Sequence, residues 1–358
     1  MRVLISGGGT GGHLFPAIAV AQALSRNAPD HNLLYVGRRG GIEQQIVPRY
    51  GLRFKTIVAA KLDMEQLWRN WSVPFVAPRA LVQALVIVRG FRPDVVLGTG
   101  GYVSAPLILA AAAMRIPSVL QEQNYLPGRT TRVLSRVARV VATGYAESAR
   151  YLHARCVVTG TPVRAEFANR RLEFPARPRQ LLVLGGSQGA HRINQAIAAG
   201  LPGLVGDLRL EVWHQTGQRE FAEMQAVKAR LDSAHTDRYH PFGFVDDLAA
   251  RVYAADLVLS RAGASAISEV SAVGIPMVLV PGPFAGGHQR LNAEPFARAG
   301  ASAVLSNDDC DGPHVVRVVS EIVNDGARYS KMVGAMRSLG RPHAADDVVG
   351  LLQAVARH

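Results

Sequence analysis

Cysteine is almost missing: 358 residues carry only Cys156 and Cys310. A disulfide framework has no material here, and one pair across the chain would be unusual in a reducing cytosol. Apolar runs are short as well. No stretch of about 18 residues is apolar without a charge, so no membrane span is expected. The opening MRVLIS has no basic region followed by an apolar one, so no signal peptide is expected. Acidic residues are outnumbered, 27 against 40 Lys and Arg, a formal net charge of +13. That excess points to acidic partners: nucleic acid, anionic lipid or phosphorylated substrates. Zinc-ligand spacings, RNP-like aromatic motifs and a Lys-rich tail are all lacking, so no nucleic-acid partner is expected.

What is present suits a globular chain. Apolar residues make up 48% of it, enough for more than one core at this length, so two domains are expected. The pattern is strand, glycine turn, helix. It opens with Arg2 to Ser6, and a helix is expected to start near Pro16, where a missing N–H is tolerated. Further strand-like runs are NLLYVG, PDVVLGTG, PSVLQE and RVVATG. After the polar RRLEFPARPRQ the pattern restarts with LLVLGGSQGA, followed by LEVWHQ, ADLVLS, PMVLVP and SAVLS. Short apolar strands between helices mean parallel sheets covered on both faces. The fold class is α/β: two doubly wound, Rossmann-like domains facing a cleft. The first spans residues 1–160 and the second 161–343. A terminal helix, about 344–358, is expected to pack back on the first domain.

Several motifs stand at strand ends, where open α/β sheets bind ligands. GGGTGGH, Gly7 to His13, matches G-x-G-x-x-G through Gly7, Gly9 and Gly12. No acid ends the second strand as a ribose hook, however: NLLYVG runs into Arg38 and Arg39, so a dinucleotide cofactor is not expected. His13 is either a base within reach of substrate or a histidine that packs or caps a helix start. SRAGASAISE follows a strand. Its helix start at Gly263 and Ala264 offers amides to a diphosphate, and Glu269 can accept two ribose hydroxyls. The alternative for Glu269 is a solvated helix acid. His288, Gln289 and Asn292, and the segment QEQN from Gln121 to Asn124, offer donors and acceptors suited to sugar hydroxyls. Asp309-Cys310-Asp311 has D-x-D form but reads as a solvated loop. The segment LWRNWSVPFVAPRALVQALVIVRGFR joins Trp68, Trp71, Phe75 and Val76 to Arg69, Arg79, Arg89 and Arg92. It is either an interfacial docking face or a core helix with a basic flank.

Together the motifs GGGTGGHLFPAIAVA, PDVVLGTGGYVSAP, QEQN, GTPVR, GGSQGA, FVDD, SRAGASAISE and HQRLNA carry a resemblance. In order and spacing the chain resembles the MurG family, the undecaprenyldiphospho-muramoylpentapeptide β-N-acetylglucosaminyltransferases, from residue 1 to about 305 and more loosely beyond. The resemblance implies the GT-B fold, with the donor nucleotide held mainly by the second domain. It implies inverting transfer of GlcNAc from UDP-GlcNAc to the C4 hydroxyl of lipid I, at the cytoplasmic face of the cell membrane, with no cofactor or metal called for. Thr10, Gly11, Gly12 and His13 fall on the glycine loop and Asn124 on a sugar contact. Arg164 falls near the uracil, Ser187 on a donor-contacting serine and Val245 on the uracil edge. Ala264, Ser265 and Ala266 fall on the diphosphate helix, Glu269 on the ribose acid, and Gln289 beside His288 on a sugar-reading amide. Arg261 is a candidate for stabilising the leaving group. His13 is the first choice of base and Glu122 the second. Gln121, Ala266 and His288 depart from residues common in the family. Alternatives are a related GT-B enzyme with another lipid or small-molecule acceptor, and a UDP-GlcNAc epimerase of the same fold.

Overall fold

The computed structural model describes residues 1–28, 30–60, 73–186, 189–243, 247–283 and 287–356. The chain divides into two compact units, Met1–Ala165 with Arg341–His358, and Glu166–Gly340. The expected site residues Ser187 and Val245, and Trp68, Arg69 and Trp71, lie outside the described residues.

The first unit carries strands β1 (Arg2–Ser6), β2 (Asn32–Arg38), β3 (Phe54–Ile57), β4 (Val95–Gly98), β5 (Ser118–Glu122), β6 (Val140–Thr143) and β7 (Arg155–Val158). Its helices are α1 (Gly11–Asn27), α2 (Glu43–Ile46), α3 (Val73–Phe91), α4 (Ala105–Ala113) and α5 (Arg129–Leu134). All strand pairs are parallel, in the order β3-β2-β1-β4-β5-β6-β7. The strands are buried on both faces, as a parallel sheet between helix layers must be. The order reverses direction between β1 and β4, with Ser6 paired to Gly98. Loops leaving those two strands diverge to opposite faces there, so a crevice opens at their carboxyl ends.

The second unit repeats the plan. Its strands are β8 (Gln180–Leu184), β9 (Glu211–Gln215), β10 (Tyr239–Phe242), β11 (Leu257–Ser260), β12 (Met277–Leu279) and β13 (Ser302–Val304). Between and after them run α6 (His191–Leu201), α7 (Phe221–Ala229), α8 (Ser233–Thr236), α9 (Leu248–Ala254), α10 (Ala264–Val273), α11 (His288–Arg298), α12 (Gly312–Val323) and α13 (Gly326–Leu339). The strand order is β10-β9-β8-β11-β12-β13, again parallel, with the reversal between β8 and β11. Helix α14 (Ala344–Ala356) belongs to the first unit. It lays Ala345, Val348, Val349 and Leu352 into the core that α1 lines with Leu14, Ala17, Ile18 and Leu24. Burying a side chain such as Leu352 contributes about 1.5–3 kcal/mol.

Two expectations change. Helix α1 starts at Gly11, five residues before Pro16, so the proline sits inside the helix. Its missing N–H leaves the carbonyl of Gly12 without the usual i to i−4 donor. And α3 is long and apolar enough, by length and composition, to cross a membrane, although it holds Arg79 and Arg89. Those two arginines break what would otherwise be an uncharged apolar run.

A buried histidine ties the second unit to pH. His214 Nδ1 takes the Tyr239 hydroxyl at 2.8 Å and its Nε2 donates to Asn194 Oδ1 at 3.0 Å. Burial pushes its pKa down to about 3. The folded pKa lies below the unfolded one, near 6.5, so the folded state resists the proton. The stability is full above about pH 6.5 and is lost as pH falls below it, by up to about 1.4 kcal/mol per unit. Chemical unfolding of this unit at pH 5 is expected to give about 2 kcal/mol less stability than at pH 7. Most of that difference is expected to disappear in His214→Gln.

Candidate active site

In the first unit, everything at the switch point is organised around the ring of His13. The loop after β1 is made of glycines for reasons of space. A Cβ on Gly7 would lie 1.8 Å from the Thr99 hydroxyl, and one on Gly8 would lie 1.6 Å from a Glu43 carboxyl oxygen. Gly9 alone of the three needs glycine for its backbone, with φ of 83°. Tyr35 donates its hydroxyl to the Gly7 carbonyl at 2.7 Å, and burial, with Glu43 nearby, holds that phenol well above its usual pKa.

The carbonyl that Pro16 leaves unanswered finds another donor. Gln123 Nε2 reaches Gly12 O at 2.8 Å and Thr99 O at 2.8 Å. It lies 2.9 Å from His13 Nδ1, which itself is 3.1 Å from Thr99 O. An amide nitrogen has two hydrogens, and we assign them to the two carbonyls, which lie nearer than the imidazole nitrogen. His13 Nδ1 therefore carries its own hydrogen and donates it to Thr99 O. Donor counting assigns the tautomer, and the lone pair of the neutral ring sits on Nε2. No described residue bonds Nε2. Thr99 also donates its hydroxyl to His13 O at 2.6 Å. The ring rests on Gly100 and Gly101, whose φ values are 95° and 75°. A Cβ on Gly100 would lie 2.8 Å from His13 Nδ1. Burial lowers the His13 pKa, opposed by the charge of Glu122 and the bond to Thr99. The result is a neutral imidazole near pH 7 with a basic nitrogen on its partly exposed edge.

The other expected residues of this unit gather around the ring. Thr10 is exposed, at the N-cap of α1, and its side chain makes no capping bond. Gly11 and Gly12 form the first turn of that helix. Glu122 is buried at the end of β5, and both its oxygens are engaged. One accepts from the amide and side chain of Asn124 at 3.0 and 3.1 Å, the other from Gly128 N at 3.1 Å. Its geometry holds the 122–128 turn and aims Asn124. Gln121 is fully buried with neither amide atom bonded among the described residues. Arg164 belongs to this unit, stacked 4.6 Å over Phe15 of α1.

In the second unit the switch point presents a helix start. Ser260 ends β11, and Gly263 caps α10, with open space where its Cβ would be. Ala264 is buried; Ser265, Ala266 and Glu269 are partly exposed, with Ser265 and Glu269 one turn apart. Asn292 of α11 donates to Ala262 O at 3.3 Å, which seats the start of α11 beside that of α10. His288 and Gln289 form the first turn of α11. The Gln289 carbonyl oxygen accepts Gly282 N–H at 2.8 Å, and no described residue accepts from its NH2. Arg261 is turned aside: its Nη1 donates to Asn307 Oδ1 at 2.8 Å and Val280 O at 3.3 Å, and burial lowers its pKa. Asp309 accepts from Ser306 and Asp311 caps α12, so both D-x-D acids serve local turns.

Sequence reasoning missed Thr99, Gln123, Tyr35 and Glu43. Gln123 lay within QEQN, and a proline inside a helix signals an orphan carbonyl. An acid does reach the first glycine loop from the β2 side. It is Glu43, five residues past the strand, folded back by the Gly40–Gly41 turn.

Residues 3–143 match the glycosyltransferase family 28 N-terminal domain, and residues 180–348 match the family 28 C-terminal domain. A relative from Moorella thermoacetica, named UDP-N-acetylglucosamine–N-acetylmuramyl-(pentapeptide) pyrophosphoryl-undecaprenol N-acetylglucosamine transferase, is 42% identical over 98% of each chain. The crystal structure of Acinetobacter baumannii MurG is 29% identical, covers 99% of each chain and superposes with a TM-score of 0.77. A putative UDP-N-acetylglucosamine 2-epimerase from Listeria monocytogenes shares the fold, with a TM-score of 0.73 at 12% identity over 99% of this chain and 96% of that one.

The glycine floor under His13 is testable without substrate. Gly100→Ala places a methyl where the ring lies and strains a left-handed residue, at a cost of about 1–3 kcal/mol. Imidazole NMR is expected to show the Nδ1–H bond lost and the His13 pKa back toward the ordinary value.

Proposed function

The chain belongs to the family of UDP-N-acetylglucosamine–N-acetylmuramyl-(pentapeptide) pyrophosphoryl-undecaprenol N-acetylglucosamine transferases, and we propose that it moves GlcNAc from UDP-GlcNAc to the C4 hydroxyl of lipid I, giving lipid II for peptidoglycan. The observation that carries the mechanism is His13: a neutral ring whose tautomer leaves Nε2 basic at the switch point of the first unit.

The step balances as a single displacement. The acceptor oxygen forms a bond to C1 of GlcNAc and its proton passes to His13 Nε2. The bond from C1 to the UDP β-phosphate oxygen breaks, and an α-linked donor becomes a β-linked product. Charge grows on the departing diphosphate. The open start of α10, with the amides after Gly263 and the hydroxyl of Ser265, suits that charge. Glu269, one turn further, suits the ribose hydroxyls, and the Gln289 NH2 suits a sugar hydroxyl. Ser187 and Val245 are assigned to the donor by family resemblance alone. Asn124, aimed by Glu122, suits the transferred sugar. Glu122 itself is a holding group in this scheme rather than the base, because both oxygens already accept hydrogen bonds. Arg164, stacked on Phe15, and Arg261, bonded to Asn307, are each anchored in their own unit, and they are assigned to the uracil and to the leaving group by family resemblance. The epimerase alternative shares only the fold.

A lipid-linked acceptor asks for a membrane surface, and α3 supplies a reason to place it there. Its inward face is Ala80, Ala84, Val88 and Phe91. Phe75, Val82 and Val86 stand out at 75%, 60% and 66% exposure, and Arg79 and Arg89 share their face by helical spacing. Apolar groups beside arginines suit the headgroup region of anionic lipid on the cytoplasmic face, where each cation near the surface adds about 1 kcal/mol.

UDP release that depends on added lipid I is the direct assay; release without acceptor would select the epimerase-like chemistry. His13→Ala is expected to lower kcat by about 10²–10⁴. The base works when neutral and its pKa is lowered, so kcat/KM in the wild type is expected to fall on the acid side with a midpoint below about 6.5. Undiminished kcat in His13→Ala rejects that assignment. Flotation with anionic vesicles is expected to be lost in Phe75→Glu with Val86→Glu; unchanged flotation rejects the docking face.

A further inference from the structure

Glu43 is a buried acid that neither the family assignment nor the mechanism above uses. It is 0% exposed, in the short α2 just beyond β2. Three glycines make room for it. A Cβ would meet the Glu43 side chain at 1.6 Å from Gly8, at 1.9 Å from Gly41 and at 2.9 Å from Gly37. One carboxyl oxygen accepts the Gly9 N–H at 2.5 Å, and the other is buried with no partner among the described residues.

The consequence runs to the reacting group. Gly8 and Gly9 are the turn between β1 and the first residues of α1. A Cβ on Gly101 would lie 2.4 Å from Gly8 O and 3.2 Å from His13 Cδ2, so Gly101 is packed between the turn and the imidazole. Any shift of Gly8 moves the surface the ring rests on. From the other side Tyr35 grips the Gly7 carbonyl, Gln123 the Gly12 carbonyl and Thr99 the His13 carbonyl. Tyr35 and its neighbours grip carbonyls; Glu43 grips an amide. Without it, Gly9, at φ of 83°, has nothing among those contacts to fix its N–H.

We propose that Glu43 is a positioning residue: it holds the Gly8–Gly9 turn from below and so sets the height and orientation of His13. The carboxyl acts through the backbone and touches no substrate.

Two measurements on the full-length protein test this, for Glu43→Ala and Glu43→Gln. The first follows the His13 imidazole by NMR across pH and is independent of what the enzyme does. Glu43→Ala is expected to move the His13 titration toward that of an ordinary histidine, while Glu43→Gln, which keeps the length and an acceptor oxygen, stays near the wild type. The second rests on the transferase reading. Glu43→Ala is expected to lower kcat by about 10- to 100-fold with the KM for UDP-GlcNAc within about two-fold, and Glu43→Gln to recover most of the loss. A His13 titration unchanged in Glu43→Ala overturns the proposal. So does a Glu43→Gln variant as impaired as Glu43→Ala, because Gln keeps the length and the acceptor oxygen and the loss would then follow the charge rather than the hold on the Gly9 N–H. A wild-type protein inactive with lipid I would overturn the transferase reading instead, and the NMR result would still decide the role of Glu43.

Discussion

Pro16 has no N–H, and the first unit's site is built on that fact. A proline at the sixth position of α1 leaves the Gly12 carbonyl without its helical donor. A carbonyl left unpaired in a partly buried place costs free energy of the order of 1–3 kcal/mol. Gln123 supplies the missing hydrogen, and its second hydrogen goes to Thr99 O. With both hydrogens assigned to those carbonyls, His13 Nδ1 keeps its own hydrogen for Thr99 O. The helix irregularity and the basic nitrogen belong to one hydrogen-bond network. Gly7, Gly8, Gly100 and Gly101 serve that network by leaving room for a hydroxyl, a carboxyl and an imidazole ring. These glycines admit protein side chains, where a glycine-rich loop at this place usually suggests the close approach of a ligand.

The two units share a strand order and a switch point, yet they use the switch point differently. In the first, the turn after β1 is closed by its own side chains. In the second, the helix after β11 opens on Gly263, with nothing in the space where a Cβ would be. Its neighbours on α10 are small or hydroxyl-bearing, and the acid Glu269 comes a turn and a half after the first amides. One copy of the topology fixes a side chain and the other exposes backbone donors. That division suits a two-substrate transfer, in which one partner must lose a proton and the other must shed a diphosphate.

Much of the fold was legible because interior parallel strands are apolar throughout. VVLG, SVLQE, LLVL and LVLS are buried along their whole length and announce themselves as short apolar runs. The strands that escaped are β3, β7 and β10, and each is an edge of its sheet. FKTI carries an exposed Lys55, RCVV is half open to solvent, and YHPF contains a proline that only an edge tolerates. Site residues divided along a similar line. Candidates on glycine turns and helix starts stand out from local spacing. Thr99 and Glu43 reach the loop from 86 and 34 residues away, and no local pattern reports such a contact. The start of α1 was placed too late for the same reason. Pro16 reads as a first-turn residue unless the distant Gln123 is known to answer for its missing hydrogen.

The acid near the first glycine loop bears on how that loop differs from a dinucleotide-binding turn. A dinucleotide-binding turn needs amides free for a pyrophosphate and an acid free for a ribose. Here Gly9 has already given its amide to Glu43, so one of the donors an anion would need is spent inside the protein. The acid is equally committed: it faces the loop, buried, with no surface to offer a hydroxyl. G-x-G-x-x-G is satisfied letter for letter by Gly7, Gly9 and Gly12, yet the acid beside it is turned inward onto the loop. The discriminating information lies in the residue that fills the space beneath the glycines. A bulky polar group there fills the space a ligand would need and braces the turn that carries His13, whereas the second unit has open space at Gly263.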